Sequence, residues 1–292
     1  MPNLELVADY PCHVGEGPLW HPAEKRVYWT DIPAGKLYRY DPASNTSEVC
    51  YEDRPVGGIV LQKDGSLLLF RDCGNVVVWK DGEIVRTIVE GVDDLRNTRF
   101  NDVCADPEGR VFCGTMPDLH HMGRLYRLEL DGTLTLLFDG LGIPNGMGFS
   151  PDLQKLYFND SYATARTTWA YEYDRSSGEL GARHPLRDAK LCTDPGNPDG
   201  LAVDSEGFVW TARWDGGAIL RHSPVDGSVT VNMSFPVRKV SSLCFGGDDM
   251  TDIYATTAGG HLRPTDGQNA GALFRLRGAA PAPGMPRFMT GF

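Results

Sequence analysis

The chain has 292 residues, with 28 Lys+Arg against 39 Asp+Glu for a net charge of −11, 41% hydrophobic residues, 34 Gly and 20 Pro. That composition belongs to a folded globular protein rather than a disordered or collagen-like one. An acidic chain without a basic run lacks the charge that a phosphate backbone requires, so no nucleic-acid partner is expected.

The N-terminus, Met1-Pro2-Asn3-Leu4-Glu5, lacks the basic start and apolar stretch of a signal peptide, and no run approaches the roughly 20 apolar residues of a membrane span. Seven cysteines are scattered without a Cys-x-x-Cys pair, which suits reduced structural thiols. The expectation is a cytoplasmic protein with no membrane partner.

Along the chain, short apolar alternations bounded by turns recur and long 3.6-period stripes are absent, so strands dominate. Leu4-Glu5-Leu6-Val7 is the first such alternation. A repeating unit follows: a turn with Pro, Asp or Gly, an aromatic or aliphatic strand, then a second strand ending in a polar hairpin. Its copies run from Trp20-His21-Pro22 before Val27-Tyr28-Trp29 to Gly246-Gly247-Asp248 before Ile253-Tyr254-Ala255. Turns centred on 22, 64, 107, 151, 205 and 248 lie 42, 43, 44, 54 and 43 residues apart, the period of four-stranded propeller blades. Units this small cannot bury a core alone and must stack on their neighbours. The predicted fold is all-β: a single six-bladed β-propeller over residues 1–292, with about four antiparallel strands per blade and Leu4–Val7 completing the last one. The long interval contains Ala163-Thr164-Ala165-Arg166-Thr167-Thr168, read as an extended hairpin in blade four.

Shortly before four of these turns lie Gly15-Glu16-Gly17-Pro18, Arg99-Phe100-Asn101-Asp102, Ile143-Pro144-Asn145-Gly146 and Asn197-Pro198-Asp199-Gly200. Each sets an oxygen-bearing side chain among Gly, Pro or other polar residues at a common phase of the repeat, so the four converge on the propeller axis. Glu16, Asn145 and Asp199 supply two carboxylates and an amide, the oxygen donors preferred by Ca²⁺ or Mg²⁺ and tolerated by Zn²⁺ and Mn²⁺. The sequence has no Gly-x-Ser-x-Gly elbow, His-Glu-x-x-His pair, P-loop or dinucleotide fingerprint. His120-His121 sits between two strands in a loop that is either a solvated surface loop or a lid that touches substrate, and Trp214 follows a strand end where it either caps the core or walls a pocket.

As a set, these segments resemble the SMP-30/gluconolactonase/regucalcin-like family over about residues 12 to 277. The resemblance rests on Gly15-Glu16-Gly17-Pro18-Leu19-Trp20, Arg99-Phe100-Asn101-Asp102, Gly114-Thr115-Met116, Pro144-Asn145-Gly146, Pro198-Asp199-Gly200 and Cys244-Phe245-Gly246-Gly247. It implies a six-bladed propeller with one divalent metal ion near its axis, hydrolysing sugar or related lactones. By the same resemblance, Glu16, Asn145 and Asp199 are metal ligands, Asp199 also handles the proton, and Arg99 and Asn101 orient the substrate. The acidic residue that many sugar lactonases carry after Gly-Thr-Met has no clean counterpart, leaving Asp118 or His120 to make that contact. The expected partner is a small-molecule lactone, and the expected state a monomer or small homo-oligomer. Two alternatives stay open: a metal-dependent aryl-ester, aromatic-lactone or phosphotriester hydrolase, and a non-catalytic divalent-cation-binding protein.

Overall fold

A strand buried on both faces reads as a near-continuous apolar run, whereas an edge strand carries polar residues. Val56–Leu61 and Leu67–Arg71 are buried throughout, while Glu83–Val89 of the same sheet is largely exposed. This gradient recurs from sheet to sheet and sets which strand lies at the axis and which at the rim. In the computed structural model, which describes residues 3–162 and 165–292, six four-stranded antiparallel sheets are arranged as a six-bladed β-propeller. The inner strands of blades one to six are Gly15–His21, Val56–Leu61, Phe100–Ala105, Pro144–Phe149, Asn197–Val203 and Val240–Gly246.

Each inner strand packs against those of the neighbouring blades, and the ring closes between blades six and one. Aromatic contacts bind sheet to sheet. Trp210 of blade five meets Phe245 of blade six edge-on at 5.7 Å, and Phe70 of blade two meets Phe100 of blade three at 5.3 Å. Each such buried ring contributes roughly 1.5–3 kcal/mol by area. Blade six is composite, as the sequence predicts: Leu4–Ala8 pairs antiparallel with Leu273–Leu276, placing Leu4 opposite Leu276.

The hairpin expected over Ala163–Thr168 falls partly on residues 163 and 164, outside the described residues. On its described flanks, Thr167 and Thr168 open the strand Thr167–Tyr173. The extra length of this repeat also enters the nine-residue strand Leu180–Asp188 and the 189–196 connection.

Two features position the channel's contents. Every inner strand carries a register shift just after its start, between Glu16 and Leu19, Val56 and Gly58, Phe100 and Val103, Pro144 and Met147, Pro198 and Leu201, and Val240 and Ser242. A bulge kinks a strand and re-aims its side chains. At the opposite end of the channel the C-terminal segment crosses the floor. Gly284 N–H donates to Met250 O, Met285 N–H to Val203 O, the Arg287 guanidinium to Met147 O and Leu201 O, and Thr290 N–H to Leu61 O.

Candidate active site

The second strands pair with the inner strands at equivalent points: Gly15 opposite Asp31, Val56 opposite Arg71, Phe100 opposite Thr115, Pro144 opposite Asp160, Pro198 opposite Arg213 and Val240 opposite Thr257. The next residue in each blade, at the bulge, is Glu16, Gly57, Asn101, Asn145, Asp199 and Ser241. The repeat thus carries two acids, two amides, a hydroxyl and a glycine around one ring. Blade two contributes only backbone, because a Cβ on Gly57 would lie 1.9 Å from Phe100 O. Blade six turns its hydroxyl outward, with Ser241 donating to Gly15 O. Chemistry is left to blades one, three, four and five.

Their four side chains are buried and line one cavity of about 420 Å³ with Arg99, Trp214, Met116, Tyr162, Ser161 and Asn197. Arg99 donates through Nη1 to Asn101 Oδ1 at 2.8 Å and to Phe100 O at 2.9 Å. Asn101 Nδ2 donates to Pro144 O and to Asn145 Oδ1, both at 2.7 Å. Asn159 Nδ2 holds the Asp199 carbonyl at 2.6 Å.

The charges are poorly compensated by protein alone. Burial, then the neighbouring charges of Asp199 and Asp102, hold the Glu16 carboxyl well above the usual carboxylate range, against the pull of the Gly17 amide and Arg99. Burial and then Asp102 raise Asp199 likewise, with Arg99 and Arg213 opposing. Burial pushes the Arg99 guanidinium down, and the three acids hold it up. Among the described residues, neither Glu16 nor Asp199 is in a direct ion pair, and the carboxylate of Asp199 accepts no hydrogen bond. Two buried carboxylates with so little direct compensation fit a hard divalent cation, with Asn145 Oδ1 as a neutral third donor. No group of three His, Cys, Asp or Glu side chains gathers for a metal among the described residues, and this set contains only two such groups.

A profile of the SMP-30/Gluconolactonase/LRE-like region matches residues 14–259. The chain belongs to that family. Within it, the chain is 46% identical over 295 residues to pentonolactonase XacC of Haloferax volcanii, covering 99% of this chain and 98% of the relative. It is 32% identical to regucalcin of Oryctolagus cuniculus, with 94% of each chain covered. A solved structure described as a calcium-binding protein, regucalcin, from Agrobacterium tumefaciens superposes with a TM-score of 0.86 at 25% identity, covering 100% of this chain and 97% of that one.

Of the residues that the family resemblance singles out, Glu16, Arg99, Asn101, Asn145 and Asp199 lie together on the cavity wall, and Trp214, read from its place after a strand end, walls the same cavity. Asp118 and His120 are not among its lining residues. The Asp118 carboxylate instead turns into its own loop, accepting the backbone N–H groups of His120 at 2.7 Å and His121 at 2.8 Å, and His120 is exposed.

Several wall residues escape a reading of the motifs. Tyr162, Ser161 and Asn197 lie on loops outside the repeat's strands or at their ends. Asp102 is different, because a signal was present. It follows Asn101 at the phase where blades one, two, four and five have Gly17, Gly58, Gly146 and Gly200. Burial raises its carboxyl to about 6, although Arg287 and Arg99 pull it down. It lines a small cavity of about 40 Å³ below the site, shared with Arg287 of the C-terminal segment.

Proposed function

We propose that the protein is a lactonase that opens the ring of a sugar or sugar-acid lactone, using one divalent cation held by Glu16, Asn145 and Asp199. The observation that carries this reading is the convergence of two buried carboxylates without a direct ion pair, an oriented amide and the Arg99–Asn101 pair on one cavity. The 46% identity to a pentonolactonase supports it and puts pentonolactones first among substrates to try.

When bound, a divalent cation (Ca²⁺, Zn²⁺, Mg²⁺ or Mn²⁺) would polarise the ester carbonyl and lower the pKa of a neighbouring water. Asp199 accepts the proton of the attacking water at its carboxylate, and its buried position keeps that oxygen from competing bulk solvent. Arg99, anchored through one nitrogen to Asn101, offers its remaining N–H groups to substrate oxygens and to the charge that grows in the tetrahedral transition state. Asn101 fixes Arg99 from behind. Trp214 and Tyr162 wall the cavity and limit the orientations of a ring-shaped substrate. Asp118 and His120 stay outside this contact set.

The same reading makes residues 1–292 one catalytic domain, a monomer or small homo-oligomer, acting on a diffusible small molecule in the cytoplasm. Seven unpaired cysteines support a reducing compartment. No described helix is long and apolar enough to cross a membrane.

The test is to strip the protein with chelator and follow acid release from pentono-, hexono-, uronic and aromatic lactones, adding back Ca²⁺, Mg²⁺, Mn²⁺ and Zn²⁺ separately. Cation-restored turnover on an aldonolactone is the expected result. Turnover confined to aromatic lactones would move the substrate class, and cation binding without any turnover would leave only a cation-binding protein.

A further inference from the structure

The amide of Asn145 has two chemically different ends, and only its oxygen can serve a cation. Nothing in the side chain's shape decides which end faces the channel, so its neighbours must. The neighbours form a chain of hydrogen bonds whose direction is fixed at both ends. At one end Arg99, a donor only, gives Nη1–H to Asn101 Oδ1, and Asn101 Nδ2 in turn donates to Pro144 O and to Asn145 Oδ1. At the other end Ser161 Oγ donates its single proton to Pro198 O, a carbonyl that can only accept. The hydroxyl therefore meets Asn145 as an acceptor and takes Nδ2–H at 2.7 Å.

Ser161 lies just past the second strand of blade four and is buried, with 8% of its surface exposed. Its two bonds join the Asn145 side chain to the peptide immediately before Asp199, so one hydroxyl links the third oxygen donor of the site to the backbone that carries an acid.

We propose that Ser161 is a positioning residue that locks the Asn145 amide with its oxygen toward the channel and sets it in register with Asp199. The proposal rests on the cation reading of the site given above. Without the hydroxyl, Nδ2 of Asn145 and the Pro198 carbonyl both lose the Ser161 bond, and the Asn101 Nδ2–H bond to Oδ1 is left alone to hold the amide against turning its NH₂ group to the cation. Residues behind a metal ligand typically change affinity by about 10–100-fold when removed.

The experiment is calorimetric titration of the chelator-stripped protein with Ca²⁺, Mg²⁺, Mn²⁺ and Zn²⁺, alongside thermal melts of the apoprotein. Ser161→Ala is expected to weaken the cation that binds the wild type best by about 10-fold or more, while Ser161→Thr, which keeps the hydroxyl, stays within a few-fold of the wild type. The decisive comparison uses Asn145→Asp, whose side chain has an oxygen at both ends and needs no orientation. In that background no amide has to be oriented, and Ser161→Ala is expected to cost several-fold less affinity than it does in the wild type. Equal losses in the two backgrounds, or a Ser161→Ala affinity within about 2-fold of the wild type, would overturn the assignment. A wild type that binds none of the four cations would overturn the cation reading itself, a result separable from either of these.

Discussion

In blade four, Asp160 accepts the backbone N–H groups of Gly142 and Ile143, each at 2.9 Å, and so braces the approach to Asn145. At the equivalent position of blade five, Arg213 donates to the carbonyls of Pro195 and Gly196 at 2.9 and 3.1 Å and braces the approach to Asp199. The backbone of the two approaches is turned in opposite senses. Gly196 adopts φ +57°, and a Cβ there would lie 2.1 Å from Trp214 O, so only glycine allows the carbonyls to face the second strand. Blade one follows blade four, with Asp31 accepting His13 N–H and Val14 N–H. The brace thus differs from blade to blade: an acid stands behind a neutral amide in blade four, a cation behind an acid in blade five, and an acid behind an acid in blade one. Arg213 is fully buried, and although burial lowers its guanidinium to about 10, it remains charged at neutral pH and favours the ionised form of Asp199. Repetition fixes where a side chain goes, and the local turn decides which charge supports it.

The largest effect should separate the two blades directly. Asp199→Ala is expected to lower turnover by about 10³-fold or more, roughly 4 kcal/mol, even at saturating cation, whereas Asn145→Ala should act mainly through weaker cation binding. Equal kcat losses at saturating cation would erase the distinction. Next is the brace of blade five. Arg213→Ala strips a charged donor from two half-buried carbonyls, of which Gly196 O keeps Arg166, and is expected to destabilise the fold by about 3 kcal/mol in denaturant unfolding, with a parallel loss of cation affinity that Arg213→Lys partly restores. In blade four, Asp160→Ala leaves two N–H groups without their partner and should destabilise by about 2 kcal/mol. If it impairs cation affinity as severely as Arg213→Ala, the sign of the brace does not matter.

The smallest effect concerns the acid of blade three. The Asp102 carboxyl is raised from 3.8 to about 6, so between those values the folded chain holds a proton that the unfolded chain has lost. The stability it contributes is complete below the unfolded pKa and declines as pH rises through about 6. Asp102→Asn is accordingly expected to raise apoprotein stability at pH 7 by on the order of 1 kcal/mol and to flatten its pH dependence between about 4 and 7. A variant that melts below the wild type at pH 7 would refute this.

The six-blade architecture was legible because the repeat period survives in turns that need Pro, Asp and Gly whatever the strands contain. Glu16, Asn101, Asn145 and Asp199 were legible for the same reason, since a shared bulge puts one phase of the repeat on the axis. Asp118 and His120 were less legible. Their place after Gly114-Thr115-Met116 suggested the cavity, but an aspartate followed two residues later by a free N–H closes on its own backbone. Ser161 gave no sign in the sequence, because its role depends on the carbonyl of Pro198 in the next blade. The floor was equally silent: residues 284–292 show no alternation and are held by carbonyl and amide groups of blades two, four, five and six.

Leu4–Ala8 finds its sheet neighbour in Leu273–Leu276, more than 260 positions along the chain. During synthesis Leu4–Ala8 therefore stays without its sheet neighbour until Leu273–Leu276 has been made, while blades one to five can already form around an open gap. Over that interval the flanks of the gap present uncovered apolar sheet faces, such as the one that carries Trp210, and these are prone to intermolecular association. Delivery of Leu273–Leu276 closes that vulnerable period, and a permuted gene that opens the ring at an exposed loop within a blade would shift it without altering a single residue of the channel.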